Sequence, residues 1–135
     1  MNDETIVRVA EVMHRGVDVI DGRATIAEAL HAMQYPDNKL MLVRKRDVND
    51  EFGALLLSDI ARHVIAPNRA PERVNVYEIM AKPVISVPSR MDIRYCARLL
   101  DRFNLSRAPV IDGDEPVGVV SFTGIVLRGL RDRMP

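Results

Sequence analysis

The sequence predicts an α/β chain made of two β-α-β-β-α repeats, each a small sheet with helices packed on it. Three observations lead there: a phrase written twice, a periodicity that passes from strand to helix and back in the same order in each copy, and helix-start signals at matching places. The phrase is "GALLLSDI" at 53–60 and "GVVSFTGI" at 118–125, with Leu56 opposite Ser121 and Asp59 opposite Gly124. Upstream, "VAEVMHRGVDVIDGRATIAEALHAM" from Val9 aligns with "VYEIMAKPVISVPSRMDIRYCARLL" from Val76 at an offset of 67. Glu11 then meets Glu78, Met13 meets Met80, Val17 meets Val84 and Ile26 meets Ile93. A loop two residues shorter in the second copy brings Gly53 onto Gly118 at an offset of 65. Such a fixed period decides the architecture before any single element does.

Each element has its own reason. "VDVI" (17–20) and "VISV" (84–87) are short β-branched runs bounded by Gly, Asp, Pro and Ser, which predicts buried strands. "TIAEALHAM" sets Ile26, Ala29, Leu30 and Met33 at helical spacing, behind a Thr25–Glu28 capping box in which each side chain answers the other end's free N–H. Asp92 holds the Thr25 place and caps a helix carrying Ile93, Cys96, Ala97 and Leu100. Two strands follow, "LMLVR" and "FGALL" in the first copy, "APVID" and "PVGVV" in the second. They are joined by polar turns at "KRDVNDE" and "DGDE". Closing helices are expected at "SDIARHVI" and "FTGIVLRGLR". Repeat 1 is thus placed at 9–66 and repeat 2 at 76–133, joined by a polar, proline-bearing linker at 67–75.

Composition narrows the function classes. With 47% hydrophobic and 28% charged residues over 135 positions, the chain is of ordinary globular size and composition. Its 19 basic and 19 acidic residues cancel, so no overall field recommends nucleic acid or an anionic membrane surface as partner. The single cysteine, Cys96, cannot form an internal disulfide, and the opening "MNDETIVRVAEVM" has no basic stretch followed by an apolar run, so a cytoplasmic protein is expected. No apolar run approaches the roughly 20 residues of a membrane helix.

Taken together, the "EVM/EIM" lead-in, the "VISV" strand, the capped helix, the "R-x-P-V-x-D" strand and the "G-apolar-apolar-x-x-x-D-I" close resemble the tandem cystathionine-β-synthase (CBS) domain pair, the Bateman module. The resemblance covers the chain from about Val9 to the last helix. It implies a pseudo-twofold pair of repeats whose small sheets pack face to face with helices outside, leaving clefts that hold adenosine nucleotides or adenosyl compounds such as AMP, ADP, ATP or S-adenosylmethionine. It further implies a regulatory, non-enzymatic protein that forms a homodimer and acts on another protein, with no cofactor.

Carried over position by position, the resemblance gives a ligand set of Asp59, Ser58, Lys39, Val84, Ser86, Arg107, Ser121 and Thr123. An Asp carboxylate accepts hydrogen bonds from both hydroxyls of a ribose, and hydroxyls and basic groups suit phosphate. Each copy has half of the set. The second keeps Ser121 and Arg107 but has Gly124 for the ribose acid, while the first keeps Asp59 but has Leu56 for the hydroxyl. The Asp59 side is therefore the expected site, with Val84 to Ser86 as its wall. Two alternatives stand beside this. Asp59 and Thr123 near helix starts also suit capping, and the split set suits an interaction module whose clefts bind nothing.

Other chemistry is weaker. His14, His31 and His63 lack partners at metal-ligand spacing, and Cys96 reads as a small buried hydrophobe. No acid, base and nucleophile can be assembled into an active site. "RKRDVNDEF" from Arg44 reads as a solvated hairpin, with a protein-contact loop as the functional alternative. The basic final helix end suits the helix dipole.

Overall fold

The computed structural model describes residues 5–135, which form two compact units: Val17–Val84, and the residues up to Gly16 together with Ile85–Pro135. These units divide the chain differently from the sequence repeats. Each consists of the sheet and helices of one repeat plus the lead-in of the other.

The unit Val17–Val84 holds a three-stranded sheet of β2 (Asp18–Ile20), β3 (Leu40–Val43) and β4 (Gly53–Leu56) in the order β2-β3-β4. Strands β2 and β3 run parallel, with Ile20 opposite Val43, and β4 runs antiparallel to β3, with Leu40 opposite Leu56. Between β2 and β3 lies α2 (Ile26–Ala32), where the Thr25–Glu28 capping box forms in both directions at 3.0 and 3.1 Å. Buried Asp18 accepts the N–H groups of Gln34 and Tyr35 at 2.8 and 2.9 Å, fixing the turn that returns the chain from α2 to β3. The core joins Ile20, Ile26, Ala29, Met41, Val43, Leu55, Ile60 and Val64 to Val74 and Val76. Leu30, expected inside, is 41% exposed, because the buried stripe of α2 is only Ile26 and Ala29 wide.

The other unit holds β1 (His14–Arg15), β5 (Arg107–Asp112) and β6 (Glu115–Ser121) in the order β1-β6-β5, with α1 (Val9–Val12), α4 (Ile93–Arg102) and α5 (Phe122–Gly129). Asp92 caps α4 as expected and binds the Arg94 guanidinium at 2.7 Å. Ile93, Cys96 and Leu100 face the core with Val7, Val9, Val12 and Met13. The expected strand at 84–87 is not a regular strand: only Val87 bridges Val110, the counterpart of Ile20 opposite Val43. The run is bracketed by Pro83 and Pro88, which donate no backbone hydrogen bond, and Val84 sends its N–H to Phe52 instead. The first closing helix also departs from expectation. It begins as α3 (Leu57–Ile60) and continues over Ala61–Ile65 with the wider π-helical bonding.

The exchange of lead-ins repeats bond for bond. Val7 accepts the N–H of Ile93 at 2.9 Å, and Val74, its repeat partner, accepts that of Ile26 at 2.8 Å. Arg8 bridges Asp92 as Asn75 bridges Thr25. A Cβ on Gly118 would drive into the His14 carbonyl and approach Met13 Sδ, and one on Gly53 would meet Met80 Sδ at 2.9 Å and the Ala81 carbonyl at 3.2 Å. The paired Met and Gly of the two sequence copies are thus parts of one contact.

Gly118→Ala is expected to cost about 3 kcal/mol, the upper end for overpacking, because the obstacle is backbone. Gly113→Ala, at φ +62° with open space around it, is expected to cost about 1 kcal/mol of left-handed strain. Urea denaturation of both variants checks the order, and a Gly118→Ala variant no less stable than Gly113→Ala would contradict the contact.

Candidate ligand-binding sites

In each unit a strand-to-helix junction gathers part of the expected ligand set. In Val17–Val84 the N–H of Leu57 donates to the Lys39 carbonyl at 3.1 Å, which sets Lys39 beside the start of α3. Lys39 itself stands at φ +59°, closing the short turn Pro36–Asn38, and both it and Ser58 are exposed. Asp59 is mostly covered: Oδ2 accepts the N–H of Leu56 at 3.1 Å, and Oδ1 lies 3.9 Å from the Arg62 guanidinium. The acid therefore does the work of a first-turn cap. Half-buried Val84 is bound to Phe52, at the other end of β4 from Asp59.

The other unit repeats this junction. Phe122 N–H donates to the Ser106 carbonyl at 3.0 Å, and Arg107 stands opposite Ser121. Ser121 caps α5, its Oγ accepting from Gly124 N–H at 3.1 Å, while Thr123 and Ser86 are exposed. Arg107 Nε lies 3.4 Å from Ser106 Oγ. The missing acid at 124 has a packing cause, since a Cβ there would lie 2.9 Å from the Val12 carbonyl. The Arg128 guanidinium binds the carbonyls of Val12 and Met13 at 3.0 and 3.1 Å. The lead-in occupies that space.

A concavity of about 860 Å³ lies within Val17–Val84 at the end of the sheet away from Asp59. Its rim follows the C-terminal ends of the parallel strands β2 and β3, through Asp21–Arg23 and Arg44–Arg46, and is completed by Asp50, Tyr77, Met80 and Lys82. Asp50 binds Lys82 Nζ at 2.6 Å and both the N–H and the guanidinium of Arg46, at 2.8 and 3.1 Å. The Lys82 ammonium, followed by the Arg46 N–H, holds the Asp50 carboxyl well below the usual carboxylate range. Asp21 is likewise lowered by the Arg23 guanidinium beside it. None of these residues stands in the expected ligand set. The basic run 44–46 was visible in the sequence as a solvated hairpin, but nothing there showed that Tyr77 and Lys82 would meet it.

Comparison with known proteins accords with this architecture. The CBS domain profile matches residues 76–129. A hexameric CBS-CP12 protein from bloom-forming cyanobacteria is 32% identical, with a TM-score of 0.87 over 97% of this chain and 77% of that one. The chain belongs to the CBS-domain family. A CBS domain pair solved with 5-methylthioadenosine and S-adenosyl-L-methionine is 21% identical and shares the fold, with a TM-score of 0.76 over 96% of this chain and all of that one. An uncharacterised protein of Methanopyrus kandleri is 26% identical over 124 residues, and this CBS chain spans 61% of its length.

Among the described residues, no group of three His, Cys, Asp or Glu comes together to hold a metal ion, and no helix is long and apolar enough to cross a membrane. Cys96 is buried on α4, and burial pushes its thiol up to about 11. It is not placed as a nucleophile.

Because the folded-state pKa of Asp50 is depressed, its stabilisation is present above the ordinary carboxylate pKa of about 3.9 and is lost as pH falls below it. Urea midpoints measured from pH 7 down to about pH 3 should therefore fall more steeply in wild type than in Asp50→Asn. Parallel curves would contradict the ion-pair geometry.

Proposed function

We propose that this CBS-domain protein is a regulatory, non-enzymatic ligand sensor that takes an adenosine nucleotide or adenosyl compound at the Asp59 junction. The observation that carries the reading is the duplicated strand-to-helix junction, which collects Lys39, Ser58 and Asp59 at one end of a sheet and Arg107, Ser121 and Thr123 at the matching end of the other. The domain pair solved with 5-methylthioadenosine and S-adenosyl-L-methionine supports the ligand class. Of the two junctions only the first carries an acid, so a ribose diol is recognised there. Ligand binding shifts the population of conformers, and that shift is the output passed to a regulated partner.

The protein is proposed to assemble through its closing helices as a homodimer, for which Val126, Leu127 and Leu130 offer exposed apolar side chains. The cyanobacterial relative is hexameric, so light scattering that gives about twice 15.2 kDa, rather than a higher multiple, decides between the assemblies.

A second reading has its own observation. Asp59 and Ser121 each already satisfy a backbone N–H at their own strand-to-helix junction, as they would in a module kept for assembly alone. Thermal-shift measurements with AMP, ADP, ATP, S-adenosylmethionine and NAD separate the two. Asp59→Asn keeps an acceptor for the Leu56 N–H and removes the charge that recognises a diol. Stabilisation of wild type by an adenosyl compound, lost in Asp59→Asn relative to that variant's own baseline, is the expected result. No shift with any compound, in a protein that still assembles, favours the interaction module.

A further inference from the structure

We infer that the cationic concavity of Val17–Val84 is a second binding site, separate from the Asp59 junction, which takes the polyphosphate group of a small molecule. Its rim carries Arg23, Arg44, Lys45, Arg46 and Lys82 against Asp21 and Asp50, five positive charges to two negative, a local excess of three in a chain whose net charge is zero. The two acids arrange these cations more than they cancel them. Asp50, with its side chain 8% exposed, binds Lys82 and Arg46, and Asp21 binds Arg23. Arg44 reaches Asp21 with its charge but has no hydrogen bond to Asp50.

The volume of about 860 Å³ falls in the range of small-molecule sites. Its lining is not uniformly polar: Val43 and Met80 contribute apolar surface, and Tyr77, a residue 56% exposed, an aromatic ring. Gly22 keeps this part open and close, since a Cβ there would lie 3.3 Å from the Val43 side chain and 3.6 Å from that of Tyr77. Guanidinium and ammonium groups converging from three separate segments suit several phosphate oxygens at once, better than one carboxylate. Phosphate recognition at this rim needs no adenosyl compound at Asp59.

Two sources share this chemistry, a nucleoside triphosphate and inorganic polyphosphate. Isothermal titration of the full chain with inorganic tripolyphosphate and, separately, with ATP tests it in wild type, Arg44→Gln, Arg44→Lys, Tyr77→Ala and Asp59→Asn. Arg44 is exposed, so its variants keep the fold. The expected result is tripolyphosphate binding that weakens about tenfold in Arg44→Gln, is largely retained in Arg44→Lys, falls with added salt, and is unchanged in Asp59→Asn. ATP binding tighter than tripolyphosphate and weakened in Tyr77→Ala assigns the site to a nucleotide. Equal affinities indifferent to Tyr77 assign it to inorganic polyphosphate, and both patterns sustain the site. Absence of tripolyphosphate binding, or binding untouched by Arg44→Gln and lost in Asp59→Asn, overturns it.

Discussion

Each sheet of this protein is roofed by the lead-in of the other repeat, and that contact is closed over a glycine. At Gly118 the backbone of His14 comes so near that no side chain fits, and at Gly53 the same place is taken by Met80 and Ala81. The hydrogen bonds from Ile93 to Val7 and from Ile26 to Val74 tie the same lead-ins to the first turns of α4 and α2. Val7, Val9 and Val12, all essentially buried, are core residues of a unit whose remaining part begins at Ile85. Burial of a Val side chain stabilises by about 1.5 kcal/mol or more, so removing this arm strips one unit of several such contributions. Neither repeat, cut at its sequence boundary, retains its own core.

The same contact decides which junction can hold an acid. Position 124 lies under the Val12 carbonyl, and the space an aspartate would need is filled by backbone. The corresponding Asp59 has room and turns back to the N–H of Leu56. A carboxylate has lone pairs to spare after one such bond, so capping and ligand recognition are compatible at Asp59 and not exclusive. The asymmetry of the two written phrases therefore has a packing cause on one side and a hydrogen-bonding use on the other.

What the sequence could show follows the range of the interactions. The Thr25–Glu28 box, the Asp92 cap and the strand propensity of β3 to β6 rest on residues a few positions apart, and these elements formed as expected. The strand at 84–87 failed because its propensity was local while its hydrogen bonds were not: Val84 turns to Phe52 and only Val87 reaches Val110. An alignment at a fixed offset shows that two segments are alike, but not which sheet each one covers, so the exchange of lead-ins was invisible. The cationic concavity was hidden for the same reason. Lys82 and Asp50 stand far apart in sequence and 2.6 Å apart in space.

The two ends of the β2-β3-β4 sheet differ in how their charges are met. Near α3 the acid is answered from within its own turn, by Leu56 and Arg62, so any selectivity there rests on hydrogen-bond geometry. At the other end Asp50 gathers cations from the hairpin and from Lys82, and they still outnumber the acids that hold them. Repulsion among like charges costs stability unless something orients and separates them, and a mostly covered carboxylate does so without neutralising the whole rim. Asp50 is thus a structural acid whose effect is electrostatic. It lets a neutral chain gather five cations against two acids around one concavity, with Arg23, Arg44 and Arg46 exposed to solvent.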